Sequence, residues 1–247
     1  MFPRLYLTAS SPQSSSVFAL LLAALGALAG IAPAAFAAEV DRHFPTTPGR
    51  WWYYATQIKI RDEPRQQRLF IANVAYDGRT LLQRRQGVWD HLYAIDEQAV
   101  AHQAYLNRTG DGREAREAPA VLLPLPPTPG TAWQFTSRLR LIESRTFSAE
   151  DRLSGRLLPV DLNASIAAID DVVQVPAGRF EDCVRVEATG VALVSADRGN
   201  LEVEVRVTQI EWYAPDVGLV KSTRLEATDS PFLRNGEYLQ ELLEVGS

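Results

Sequence analysis

The sequence predicts an all-β protein: a curved antiparallel sheet of about ten or eleven strands that forms an open or half β-barrel, with few helices. Three observations predict it. Leu201, Val203, Val205 and Val207 alternate with Glu202, Glu204 and Arg206 without a fault, the period-2 pattern of a half-buried strand. Similar runs recur between turn dipeptides such as Asp77-Gly78 and Asn235-Gly236. The third is the near absence of any helical periodicity after the N-terminus.

The elements follow in chain order. Arg4 is the only charge before Glu39, residues 17–31 are uninterruptedly apolar, and Ala35-Phe36-Ala37 is a small-x-small cleavage pattern. Residues 1–37 are therefore expected to be a signal peptide removed before Ala38, leaving 38–247 as a single domain in the periplasm or outside the cell. No Cys follows the apolar run, so no lipid anchor is expected. Residues 51–60 read as a strand with Trp52, Tyr54, Ile58 and Ile60 on one side. Residues 67–76 and 80–89 flank Asp77-Gly78 as a hairpin. Residues 97–106 fit either a helix or hairpin strands, and 107–112 form a turn. Further strands are expected at 133–146, 165–175, 181–194, 201–212 and 217–228, with Asn235-Gly236 turning the chain between Phe232-Leu233 and Tyr238-Leu239. After Thr208 the apolar residues change phase: Ile210 and Trp212 take the face that carried Glu202 and Glu204, which predicts a bulge or a barrel corner.

One device occurs twice. Pro45, Thr47, Pro48, Gly49 and Trp52 recur 81 positions later as Pro126, Thr128, Pro129, Gly130 and Trp133. Proline fixes φ, glycine permits a tight reversal, and tryptophan starts a strand as a large anchor. Two halves, about 44–124 and 125–247, thus open alike. The Pro-rich stretch between them is expected to cross over within one barrel, because about five strands alone would leave long edges exposed.

The opening His43-Phe44-Pro45 with Pro48-Gly49 and Trp52-Tyr53-Tyr54 resembles the start of exported bacterial proteins of the TapB-like group. The run from Val175-Pro176-Ala177-Gly178 to Cys183-Val184-Arg185-Val186 resembles that group's turn and strand. Trp212-Tyr213-Ala214-Pro215-Asp216 with Gly218 resembles its closing hairpin. The group is of unknown function and is similar to LolA, LolB and LppX, envelope lipid and lipoprotein carriers. The resemblance implies a curved half-barrel around an apolar cavity.

Composition excludes several chemistries. With 25 Lys and Arg against 30 Asp and Glu, no positive field exists to hold nucleic acid. One Cys excludes a disulfide framework or a multi-thiolate metal site, and Cys183 reads as a small buried hydrophobe. His43, His91 and His102 lack ligand spacing; His91 and His102 could meet across antiparallel neighbours, but no metal site and no cofactor is expected. Asp170-Asp171 and Glu181-Asp182 point to opposite faces of a strand and form no catalytic dyad. There is no nucleophile elbow and no phosphate loop, so no enzymatic activity is expected. Strands such as 69–76 carry apolar residues on both faces, which calls for either a closed core or an apolar cavity. Trp52, Tyr54, Trp133, Phe135, Ile210 and Trp212 are expected to face that interior and contact a lipid or acyl ligand. The alternative is a structural or assembly partner in the cell envelope that offers its sheet edges to another protein.

Overall fold

The computed structural model describes residues 42–60, 64–76, 81–109, 113–144, 158–196 and 201–247, all within one compact unit, Phe36–Ser247. The expected signal peptide, its cleavage site and the Asp77-Gly78 turn lie outside the described residues. Fourteen strands are found there: β1 (Trp51–Lys59), β2 (Arg65–Tyr76), β3 (Leu81–Gln86), β4 (Trp89–Ile95), β5 (Ala99–Asn107), β6 (Arg113–Pro124), β7 (Ala132–Arg138), β8 (Glu143–Ser144), β9 (Pro159–Val175), β10 (Gly178–Ala196), β11 (Leu201–Ala214), β12 (Gly218–Ala227), β13 (Leu233–Arg234) and β14 (Gly236–Gly246). Arg42 and His43 are the only helical residues described.

Twelve strands form one antiparallel sheet in the order β6-β5-β4-β3-β2-β1-β14-β12-β11-β10-β9-β7, nearly closed into a barrel. The all-β expectation holds, with a few more strands than counted from the sequence. Strand β1 pairs with β2 on one side and with β14 on the other, so both halves of the chain share one sheet. The two ends of the sheet, β6 and β7, meet at a seam, where the Trp133 indole N–H on β7 donates to the Val121 carbonyl on β6 at 3.0 Å. Strand β6 was not anticipated because it carries Pro119 and Pro124. Proline is tolerated where a strand needs no partner on one side, and β6 is such an edge.

The repeated device builds the same turn twice. Arg50 N–H donates to Thr47 O at 3.2 Å and Thr131 N–H to Thr128 O at 3.1 Å. Gly49 and Gly130 take φ values of 87° and 83°, as the third residue of a type II turn after proline requires. Each glycine N–H then bonds to the strand ahead, Gly49 to Asn73 O at 2.9 Å and Gly130 to Ile166 O at 2.8 Å.

Several boundaries differ from expectation for local reasons. The strand expected at 80–89 is a hairpin: Gly87, at φ 61°, reverses the chain between β3 and β4. Of residues 97–106, which fitted either helix or hairpin strands, 99–106 are strand and 97–98 the bend before it. The strand expected at 133–146 stops at Arg138, where Leu139 and Leu141 turn inward. Asn235-Gly236 is not a hairpin turn. Leu233 and Arg234 pair with β8, and Gly236 starts β14 where a Cβ would strike Leu141.

Three clusters fill the unit. Leu82, Ile95, Val100 and Leu123 from β3–β6 pack with Phe44 across the interior on Ile166, Val184, Val186 and Tyr213 from β9–β11. Leu139 and Leu233 cover the inner face of β9–β11 at Leu162, Ala188, Val205 and Val207. Trp52, Tyr54 and Leu242 pack with Val173, Val175 and Cys183 from the bulged part of the β9–β10 hairpin. That hairpin tip reaches β14, where Ala177 N–H donates to Leu242 O at 2.9 Å.

Candidate functional site

The interior is not packed throughout. It holds a cavity of about 680 Å³. Strand registers explain its walls, since directly paired residues of an antiparallel sheet project to the same face. One cross-strand row runs Glu211 (β11), Ser222 (β12), Gln240 (β14), Thr56 (β1) and Gln67 (β2). The next row runs Gln209, Arg224, Tyr238, Ile58 and Arg65. All ten residues line the cavity. Two residues back along β1, the lining becomes Tyr54 with Leu69 and then Trp52 with Ile71. The facing wall carries Arg84, His91, Tyr93, His102, Tyr105, Leu122 and Phe135.

The polar side chains are joined in networks. Tyr213 Oη–H donates to Glu211 Oε2 at 2.8 Å, and Gln209 Nε2–H donates to Glu211 Oε1 at 3.1 Å. Arg224 donates to Gln209 Oε1 at 2.8 Å, to Ser137 Oγ at 3.2 Å and to Glu226 Oε1 at 2.8 Å. Tyr238 Oη–H donates to Gln240 Oε1 at 2.5 Å. Arg84 lies over the rings of Phe44 and Trp52, 4.2 and 4.6 Å from their centroids, and donates to Asn73 Oδ1 and Pro45 O. Desolvation dominates the electrostatics: burial raises the pKa of the Glu211 carboxyl and of the Tyr54 and Tyr213 hydroxyls, and pushes Tyr238 up to about 12. The same burial lowers the pKa of Arg84 and Arg224. Five arginines against two glutamates line the cavity, opposite in sign to the chain's net charge of −5.

Of the six residues expected at the interior, Trp52, Tyr54 and Phe135 line the cavity. Trp52 and Tyr54 are fixed by bonds from their polar tips to Val217 O and Leu219 O, at 2.6 and 2.7 Å. Trp133 packs on the clusters beside the seam instead. For Ile210 and Trp212 the expected face is corrected. Gln209, Glu211 and Tyr213 line the cavity, so Ile210 and Trp212 stand on the opposite face of β11, where the Trp212 N–H donates to Asp171 Oδ2 at 2.9 Å. No phase shift occurs at Thr208: the β10–β11 register is continuous, and the bulge lies on β12 after Trp212. The strand keeps its period while each face changes character. The expected apolar wall is likewise corrected to a mixed one.

The polar row at Thr56, Ser222 and Gln240 was missed by reading apolar residues as inward. The available signal was the unbroken odd-numbered face from Val203 to Tyr213, which no Gly or Pro interrupts. His91 and His102 do meet, with ring centroids 5.2 Å apart beside Tyr105. Among the described residues, no three His, Cys, Asp or Glu side chains are grouped to hold a metal ion.

No protein-family profile and no curated protein matches the sequence. Two crystal structures are similar at a distance. One is a presumed exported protein with a YmcC-like fold from Bacteroides fragilis, 11% identical, covering 83% of this chain and 99% of its own, with a TM-score of 0.38. The other is a presumed lipoprotein from Parabacteroides distasonis, 12% identical, covering 83% and 98%, with a TM-score of 0.36. Likenesses this distant assign neither a family nor an activity to the chain.

Proposed function

We propose that this chain is an exported binding or carrier protein for a single lipid- or acyl-type ligand, held in the barrel cavity. The observation that carries the reading is the cavity itself: about 680 Å³ of space, inside the roughly 300–1,000 Å³ common for small-molecule sites. Trp52, Leu69, Ile71, Leu122 and Phe135 offer apolar contact, while the polar rows favour a ligand with a polar end over bare hydrocarbon. Export rests on the leader at residues 1–37. The assembly-partner reading comes second, because the two terminal strands of the sheet face each other across the Trp133–Val121 seam and leave less edge for strand addition. The test is displacement of a fluorescent fatty acid from the purified protein, with mass spectrometry of an organic extract of the same preparation. Saturable binding supports the proposal. An intact fold that neither binds the probe nor yields a co-purifying small molecule overturns it.

A further inference from the structure

Five polar side chains in one cross-strand row is an unusual lining for a barrel interior. Thr56, Ser222 and Gln240 are only 6–7% exposed, and all five members of the row border the cavity. Glu211 and Gln240 accept from Tyr213, Gln209 and Tyr238, so the wall itself keeps the row polar, and a dry hydrocarbon chain laid against it would strip its remaining donors and acceptors of solvent. The row interleaves acceptors and donors: a carboxyl, a hydroxyl, an amide, a hydroxyl and an amide. That inventory suits a ligand surface that both donates and accepts, such as vicinal hydroxyls. Five arginines line the cavity, and two of them are held by protein acceptors. Arg224 is engaged by Glu226, Gln209 and Ser137, and Arg84 by Asn73 and Pro45. Within the row itself the one ionisable side chain is the Glu211 carboxyl, an acceptor that does not favour an anionic head beside it. Across the cavity, the rings of Tyr93 and Tyr105 border the same space and offer flat apolar faces.

We infer that the row Glu211, Ser222, Gln240, Thr56 and Gln67 binds the uncharged, hydroxyl-rich head of the ligand, a sugar or polyol. The inference rests on the proposed cavity function and names the ligand class within it. The head sits inside the barrel, and the apolar remainder lies along Leu69, Ile71 and Phe135.

The full chain is titrated with three probes of equal tail length, octyl glucoside, octanoate and octyltrimethylammonium, each below its micellar concentration. The readout is tryptophan fluorescence, since Trp52 lines the cavity. Glucoside binding at least about tenfold tighter than either charged probe is expected. Gln240→Leu and Gln67→Leu are each expected to weaken the glucoside about fivefold while leaving octanoate unchanged. Gln67 is exposed at the residue level, so its replacement leaves a folded protein to measure even where Gln240→Leu unfolds. Octanoate binding without a glucoside preference, or equal weakening of all probes by Gln67→Leu, overturns the head-group inference and leaves the cavity reading standing. Binding of none of the three overturns both.

Discussion

Glu226 is the best place to test how the barrel wall is held. Its side chain is fully buried, and its two oxygens accept from Arg140, Leu141 and Ile142 N–H at 2.8–3.2 Å and from Arg224 Nε–H at 2.8 Å. A single carboxylate thus pins the segment after β7 to β12 and neutralises a guanidinium that is itself only 8% exposed. In Glu226→Gln the amide oxygen can still serve the three backbone donors. The amide NH2 then faces the Arg224 donor, and the cation is left inside without its counter-charge. Breaking one side of a buried pair costs about 3–5 kcal/mol. For a domain of this size that lowers Tm by roughly 10 °C. The assay is equilibrium urea unfolding of wild type, Glu226→Gln and the double variant Arg224→Met/Glu226→Gln. The double variant removes the orphaned cation and keeps the acceptor for the loop, so it is expected to regain about 2 kcal/mol over the single. A single variant within about 1 kcal/mol of wild type, or a double variant less stable than the single, would refute the reasoning.

Four further outcomes follow from the same geometry. Gly49→Ala and Gly130→Ala meet no atom within 4 Å, so their cost is purely that of a positive φ, about 1–2 kcal/mol each by urea unfolding. Gly190→Ala, whose Cβ would strike Asp161 O and Leu162, is expected to cost more than either. Burial raises the pKa of Glu211, so the fold keeps this group's contribution below the ordinary carboxyl pKa and loses it as pH rises through the elevated one. Glu211→Gln should flatten that part of the stability–pH curve, and an unchanged curve would count against the assignment. The Cys183 thiol is buried and pushed up to about 11. It should resist a thiol reagent at pH 8 in the native state and react at once in urea; fast native labelling would contradict its placement.

The elements were legible in the sequence where the local code is strong. The Pro-Gly turns at Gly49 and Gly130 are written in five repeated residues, because proline before glycine suits a type II turn and little else. The turns at Pro176-Ala177 and at Pro215 to Val217 were legible from a proline that opens the turn and a glycine that closes it, with Gly178, Asp216 and Gly218 all at positive φ. The Gly87 hairpin was not, since one glycine in a polar run is equally compatible with a bulge. The site was legible only in part. Trp52, Tyr54 and Phe135 obey the rule that large apolar residues face inward. Ile210 and Trp212 break it, because the interior at their level is a hydrogen-bonding surface and the outside of β11 is partly covered, with Trp212 tied to Asp171. No single-strand pattern reveals that exchange. It becomes visible only when Glu211, Ser222, Gln240 and Thr56 are placed side by side by the registers of four strands.

The course of β1 shows why the barrel is packed at one end and open inside. Its inward residues run Trp52, Tyr54, Thr56 and Ile58. The first two are large enough to reach across to Val217 and Leu219 and to join Leu242 and the β9–β10 tip in a solid cluster. At Thr56 the side chain shortens and turns polar, and so do its neighbours at Ser222 and Gln240 on the adjoining strands. Small polar groups cannot fill the radius that the aromatic residues fill, and bringing the opposite wall closer would strip them of solvent or ligand without return. The space therefore stays open at the rows where the sequence changes from aromatic to hydroxyl and amide. Enlarging one of those side chains with a hydrocarbon, as in Thr56→Leu, should both stabilise the barrel and abolish probe binding. A cavity that were a mere packing fault would gain the stability without any binding to lose.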